Sequence, residues 1–422
     1  MKKIFSIATL VTSIFANNYQ QFQNQYANGY QHYQKQTKQE FINYQKTLID
    51  GFKEYKATLD KEFANYRKSL SKYWKNPELT TKTTFVEYSK DKKVRKKVNY
   101  KKQYIEIDVI AKNKIEAKRK MAKALFNLTS ENVAQAFDKN PVLTKVNQKL
   151  ASNPKFSSII KVSKPSKEPI VTDMVFKKPP TPTQVVNYAI NNVKKHSKSI
   201  VVKKSKLPHM HVYSMKIKLP SSSLLAKARI YKSAVFKRSK QFNIQPEFIY
   251  AIIHTESYFN PGARSYIPAF GLMQIVPRSA GADAYKMLTG KKKLLTPSYL
   301  YNANNNILIG TAYLKKLYYV YMRKIKNPTS RLYCTIAAYN TGAGNVACAF
   351  NSTTKSHGVT QCRSSRHDYN INIASSKINK MTPQEVYNHL LSNLKYKEAQ
   401  NYLKRVSKRM HMYKKALDKN AL

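Results

Sequence analysis

The chain has 422 residues, 42% of them hydrophobic, enough for two domains with sizeable cores. Its 76 Lys and Arg against 22 Asp and Glu give a net charge of +54, a field that concentrates it on nucleic acid, anionic lipid or a carboxylate-bearing wall polymer. One apolar run stands out, Ile4 to Ala16, and it is too short to span a bilayer, so the sequence predicts no membrane-spanning segment.

That run follows Met1-Lys2-Lys3 and precedes Asn17-Asn18, so residues 1–16 read as an export signal cleaved after Ala16. Export leads to the periplasm and argues against nucleic acid as partner. No cysteine occurs before Cys334, so no lipid attachment is expected; adhesion to an anionic membrane or wall would be electrostatic.

Residues 17–75 carry the clearest period in the sequence. Phe41, Tyr44, Leu48, Phe52, Tyr55, Leu59, Phe63, Tyr66, Leu70 and Trp74 repeat at steps of 3, 4 and 4, and Tyr19, Phe22, Tyr26, Tyr30 and Tyr33 keep the phase, with Thr37 as the one break. An eleven-residue repeat is about 3.67 residues per turn, a slightly right-handed stripe on a long helix of roughly 80 Å. Such a stripe needs cover: a second copy in a coiled coil, a membrane, or its own domain. A homodimer through this helix is the simplest of the three.

Residues 76–220 read as a small α+β domain. Tyr104 to Val109 and Tyr213 to Leu219 alternate as half-buried strands do, and helices are predicted from Ile115 to Leu128 and from Gln184 to Val193. Asn140 to Lys167 reads as basic and irregular, and Lys177 to Thr183 as a Pro-rich loop. Residues 221–422 form a helical domain, with helices predicted over Leu224–Lys240, Pro246–Ser257, Asn304–Met322, Arg331–Tyr339 and Lys395–Tyr413.

Candidate chemistry lies in that last domain. Glu256 falls in the last turn of an apolar helix that starts at Pro246 and is stopped by Asn260-Pro261, and between Ala251 and Phe350 the other carboxylate is Asp283. Apolar neighbours and the negative end of the helix dipole disfavour its charge and suit a proton donor. Downstream, Gly271-Leu272-Met273-Gln274 offers a close-approach glycine and an amide suited to an N-acetyl sugar, and Ala338-Tyr339-Asn340 runs into the glycine-rich Thr341-Gly342-Ala343-Gly344.

These three motifs, in this order, resemble the signature of family 1 lytic transglycosylases, and most closely the membrane-bound lytic murein transglycosylase C type. Asn327 to Arg331, Met381 to Tyr387 and Glu398 to Leu403 resemble that subgroup as well. The resemblance implies a mainly α chain: a lysozyme-like helical catalytic domain over 221–422, preceded by the long N-terminal helix and an α+β accessory domain over 76–220. It implies cleavage of the MurNAc-GlcNAc β-1,4 bond of peptidoglycan without water, giving a 1,6-anhydro end, with Glu256 as acid and then base and the substrate's acetamido group in place of a second carboxylate. By the same matching Ser257 and Tyr402 orient Glu256, and Met273, Gln274, Tyr339 and Asn340 line the sugar subsite.

Cys348 and Cys362 bracket a polar stretch that looks inserted relative to this family. A bridge between them would close a loop beside the cleft; the sequence leaves bridged and free thiols both open, with Cys334 as the free one. His254 lies two residues before Glu256, not in a His-Glu-x-x-His arrangement, so neither metal nor cofactor is expected. Two other readings stand beside the lyase: a muramidase-type hydrolase using Asp283 as second base, and a non-catalytic wall-binding or assembly protein.

Overall fold

The computed structural model describes residues 39, 43, 46–352, 355–356, 359–362 and 367–422. The expected export signal and the stripe positions Tyr19 to Thr37, Phe41 and Tyr44 lie outside the described residues. The chain divides into two units, Met1–Glu54 and Tyr55–Leu422. Residues 46–54 of the first are helical. The second holds a sheet, a helical domain and the candidate site.

The second unit opens with helix α1 (55–70). Its stripe is buried: Tyr55 and Leu59 are 1% exposed, Leu70 is fully covered, and Trp74 just beyond the helix is 3% exposed. Leu70 and Trp74 share a core with Val86, Tyr88 and Ile110, and the Trp74 indole donates to the Lys92 carbonyl at 2.7 Å. Over 55–74 the cover that the stripe requires is therefore the chain itself: the sheet at Leu70 and Trp74, Arg264 over Phe63, and Phe270 beside Tyr55.

The sheet has five antiparallel strands, β1 (Thr84–Tyr88), β2 (Val94–Asn99), β3 (Tyr104–Ala111), β4 (Val201–Lys204) and β5 (His211–Lys218), in the spatial order β1-β2-β3-β5-β4. The two expected strands pair in the centre, with Ile105, Ile107 and Val109 opposite Ile217, Met215 and Tyr213. Strand β2, Val-Arg-Lys-Lys-Val-Asn, has no apolar alternation to predict it. Its cations are neutralised in place: Lys96 meets Glu87 at 2.7 Å and Glu131 at 3.1 Å, Lys97 meets Glu78 at 2.9 Å, and Arg95 meets Asp108 at 2.8 Å. Buried charges persist only when paired in this way.

Helix α2 (Lys114–Thr129) packs on β3. The stretch expected to be irregular contains α3 (Pro141–Ser152), capped by the Asn140 side chain, with Val142, Leu143, Val146 and Leu150 buried. Lys145 and Lys149 hid that face in the sequence; each is 2.9 Å from Glu62 of α1. Helix α4 (Pro182–Lys195) begins with a Thr181-Gln184 capping box and packs on α2.

The helical domain comprises α5 (Lys232–Phe242), α6 (Pro246–Ser257), α7 (Ala303–Lys315), α8 (Pro328–Thr341), α9 (Ala343–Asn351), α10 (Pro383–Asn393) and α11 (Lys397–Asp418), with shorter helices between them. The single helix expected over Leu224–Lys240 is two, Ser223–Arg229 and α5, divided at the buried Tyr231, whose ring stacks on Phe259 at 6.2 Å. Helix α11 packs along both α6 and α8. No helix among the described residues is long and apolar enough to cross a membrane.

Leu70 lies in the long N-terminal helix yet fills the sheet core. Leu70→Ala is expected to destabilise the full chain by about 3 kcal/mol in denaturant unfolding, with no dependence on protein concentration. A loss that vanished on dilution would instead place this stripe between copies.

Candidate active site

Helix α6 is apolar on every side, and Phe248 to Ile253 are all buried. It ends when Tyr258 turns left-handed (φ 54°), and Phe259 repeats the turn (φ 61°). Glu256 is thus held in the last helical turn, 5% exposed. Its two oxygens have different partners. Tyr402 of α11 donates to Oε1 at 2.8 Å, and the Lys82 ammonium, from the loop before β1, lies 3.3 Å from Oε2.

Lys82 comes from 174 residues upstream. Its loop is tied to the end of α6 by the fully buried Asn260, whose amide donates to the carbonyls of Thr81 at 3.2 Å and Lys82 at 3.3 Å. The Arg264 amide adds a bond to the Thr81 carbonyl at 3.4 Å. Asn260, expected only to stop a helix, is what fastens the sheet side of the molecule to the acid.

The Gly271-Leu272-Met273-Gln274 segment forms the neighbouring wall. Its shape is imposed by Asn306 of α7, fully buried, which accepts from the Met273 amide at 2.8 Å and donates to the carbonyls of Phe270 and Leu300 at 2.9 Å each. Gly271 is left-handed (φ 74°), and a Cβ there would sit 2.3 Å from the Asn306 amide nitrogen. Gln274 is also left-handed (φ 48°). Its Nε2 donates to the Gly271 carbonyl at 2.9 Å, while its Oε1 is buried without a hydrogen-bond partner among the described residues. An orphaned acceptor of this kind is costly unless a ligand donor meets it.

Tyr339 of α8 donates to the Met273 carbonyl at 2.9 Å. Burial, with the Glu256 charge adding to it, raises the hydroxyls of both Tyr339 and Tyr402 well above the ordinary tyrosine range, so both stay neutral donors. Asn340 follows, half-buried, and α8 runs on to Thr341 before Gly342 (φ 88°) breaks it from α9. The expected glycine-rich turn is therefore a junction between two helices. Ser257 does not reach Glu256; its hydroxyl donates to the Ile253 carbonyl at 3.0 Å within its own helix. Cys348 and Cys362 are bridged, with Cα atoms 5.8 Å apart, and Cys334 is buried and free. Asp283 is held by Lys316 at 3.3 Å.

Sequence reasoning missed Lys82 and Asn306. Lys82 sits in a Lys-rich stretch with no local signal. For Asn306 a signal existed: it closes the run Asn304-Asn305-Asn306 on a helix that is otherwise apolar up to Gly310.

Residues 233–360 match the family model described as Transglycosylase SLT domain. Curated relatives named Membrane-bound lytic murein transglycosylase C are similar over part of the chain. The protein from Mannheimia succiniciproducens is 38% identical over 205 residues, covering 49% of this chain and 52% of the relative. The one from Actinobacillus pleuropneumoniae serotype 5b is 39% identical over 199 residues, covering 47% and 49%. The chain thus spans about half the length of the curated relatives it matches. Among solved structures, the 70 kDa soluble lytic transglycosylase of Escherichia coli is 15% identical with a TM-score of 0.30, covering 72% of this chain and 44% of that one. The complex of the 70 kDa soluble lytic transglycosylase with bulgecin A gives a TM-score of 0.33 at 15% identity and the same coverage, 72% and 44%.

His254, two residues before Glu256, is buried with Nδ1 3.0 Å from the Tyr413 hydroxyl. Burial, reinforced by the Arg409 charge, pushes its imidazole down to about 3. The unfolded chain takes up a proton below about pH 6.5 that the native state refuses, so this group removes stability as pH falls, about 2 kcal/mol between pH 7 and 5. Unfolding of the parent chain and His254→Gln at both pH values checks it: the variant's loss should be smaller by about that amount.

Proposed function

We propose that this protein is a peptidoglycan lytic transglycosylase in which Glu256 serves as both acid and base. The observation that carries the reading is the buried carboxylate of Glu256, gripped by Tyr402 and Lys82, while Asp283 is engaged by Lys316. A hydrolase needs a second base to activate water. Asp283, the next carboxylate downstream, is already committed to an ion pair.

The chemistry then follows from one acid. Protonated Glu256 gives its proton to the glycosidic oxygen as the C1–O bond of MurNAc breaks, and the GlcNAc end leaves as an alcohol. The acetamido oxygen of the same MurNAc stabilises C1 as positive charge develops. The C6 hydroxyl next attacks C1 while Glu256, now a carboxylate, takes its proton and is restored. No water is consumed, and the product is the 1,6-anhydro sugar. Gln274 is aimed for this substrate: its free Oε1 can accept the acetamide N–H that the site otherwise lacks. Met273, Tyr339 and Asn340 complete the subsite, with Tyr339 fixing the Met273 backbone rather than facing solvent freely; Ser257, buried and bonded within its own helix, takes no part in it. The Cys348-Cys362 bridge ties α9 to Cys362 beyond its end.

We assign the protein to the periplasmic side of the cell envelope, supported by the run Ile4 to Ala16 and by relatives named as membrane-bound murein enzymes. Pairing of two copies is assigned to the stripe upstream of Tyr55, on the strength of its period.

Isolated sacculi digested with the full chain should release fragments ending in anhydro sugar, read by mass spectrometry. Glu256→Gln should lower that release by about 10²-fold or more. Reducing ends would make the protein a hydrolase, and no release a binder.

A further inference from the structure

Lys82 faces two ways. Its ammonium reaches Glu256, yet the side chain is 46% exposed and borders a groove of about 840 Å³ between α1, its own loop and the 264–266 segment. Arg67 and Arg264 line the same groove with Lys82. Asp60, the acid on its rim, is already bonded to Lys56. The Arg264 guanidinium lies 3.4 Å above the Phe63 ring, and its Nε is buried with no hydrogen-bond partner among the described residues. The groove thus offers three cations, one with an unfilled donor, beside the acid that performs the chemistry.

We propose that this groove is a carboxylate subsite for the peptide stem of the glycan, and that Lys82 exchanges between Glu256 and the stem carboxylate. This rests on the function proposed above. In the free protein the Lys82 ammonium lies 3.3 Å from Glu256 Oε2 and so occupies one of the two oxygens of the acid. A stem carboxylate in the groove competes for the ammonium; as Lys82 turns to it, Oε2 is freed to face the substrate. The other groups facing Glu256 do not make this exchange: Tyr402 and Tyr339 are neutral hydroxyls, Arg405 acts on Tyr402, and His254 on α6 stays uncharged against Tyr413 and Arg409. Lys82 is therefore a positioning and specificity residue, acting through Glu256.

The test compares glycan strands bearing free stem carboxylates with the same strands after the carboxylates are amidated, with kcat/KM for anhydro ends read from pH 5 to 8. The parent chain should prefer the free carboxylates by about tenfold, the value of one modest charge pair. Lys82→Arg should keep the preference. Lys82→Met should lose it, and rescue by arginine but not by a neutral side chain is a pattern that a merely structural role would not produce. Strands stripped of their stems, which keep a lactyl carboxylate, should behave as amidated ones. Retention of the preference in Lys82→Met, its absence in the parent chain, or full preference on stripped strands would overturn the proposal. Anhydro ends absent throughout would overturn the functional reading, and this one with it.

Discussion

A buried carboxylate held at both oxygens is the constraint on which this structure turns. Taking such a charge out of water costs several kcal/mol unless partners replace the lost hydration. For Glu256 those partners come from 146 residues downstream and 174 residues upstream. Neither can arrive alone. Tyr402 needs α11 packed along α6, and Lys82 needs its loop fastened by Asn260 and backed by the sheet. The fold-back of α1 onto that sheet is part of the same requirement, since Leu70 and Trp74 fill the core beneath β1.

The cleft wall has a different logic, in which one amide governs backbone shape. Asn306 spends both of its amide donors and one acceptor site on the Phe270, Leu300 and Met273 backbone, so the Gly271 turn is fixed before any ligand arrives. The close approach extends to Gly310, where a Cβ would fall 2.3 Å from the Met273 sulfur. What remains unsatisfied is the Gln274 acceptor. A rigid wall with one open acceptor is prepared for a donor on the substrate, because the bonding cost is met only on binding.

Features carried by local pattern were legible in the sequence. Glu256 at the end of α6, the alternation of β3 and β5, and the body of α4 all follow from neighbours a few residues apart. Features made by distant charge pairing were not. Strand β2 drew no assignment and the stretch holding α3 read as irregular because their lysines look solvated, and only the acids of Glu87, Glu131, Glu78 and Glu62, placed by tertiary packing, neutralise them. Lys82 escaped for the same reason: among 76 basic residues, nothing local distinguishes the one that meets the acid. The stripe showed its period but not its cover, because a helix face specifies that it must be buried and not by what.

The same accounting explains the charge. With 22 acids in the chain and several of them engaged in sheet and helix pairs, few remain to offset the field near the cleft. A strongly positive surface draws an anionic polymer over distances of about a Debye length, whereas a paired acid feels mainly the cation in contact with it. The long-range field therefore serves capture, and at Glu256 the local cation is Lys82, 3.3 Å from Oε2. Because the two act at different ranges, the chain carries a large excess of cations on its surface without fixing how its buried acids are paired.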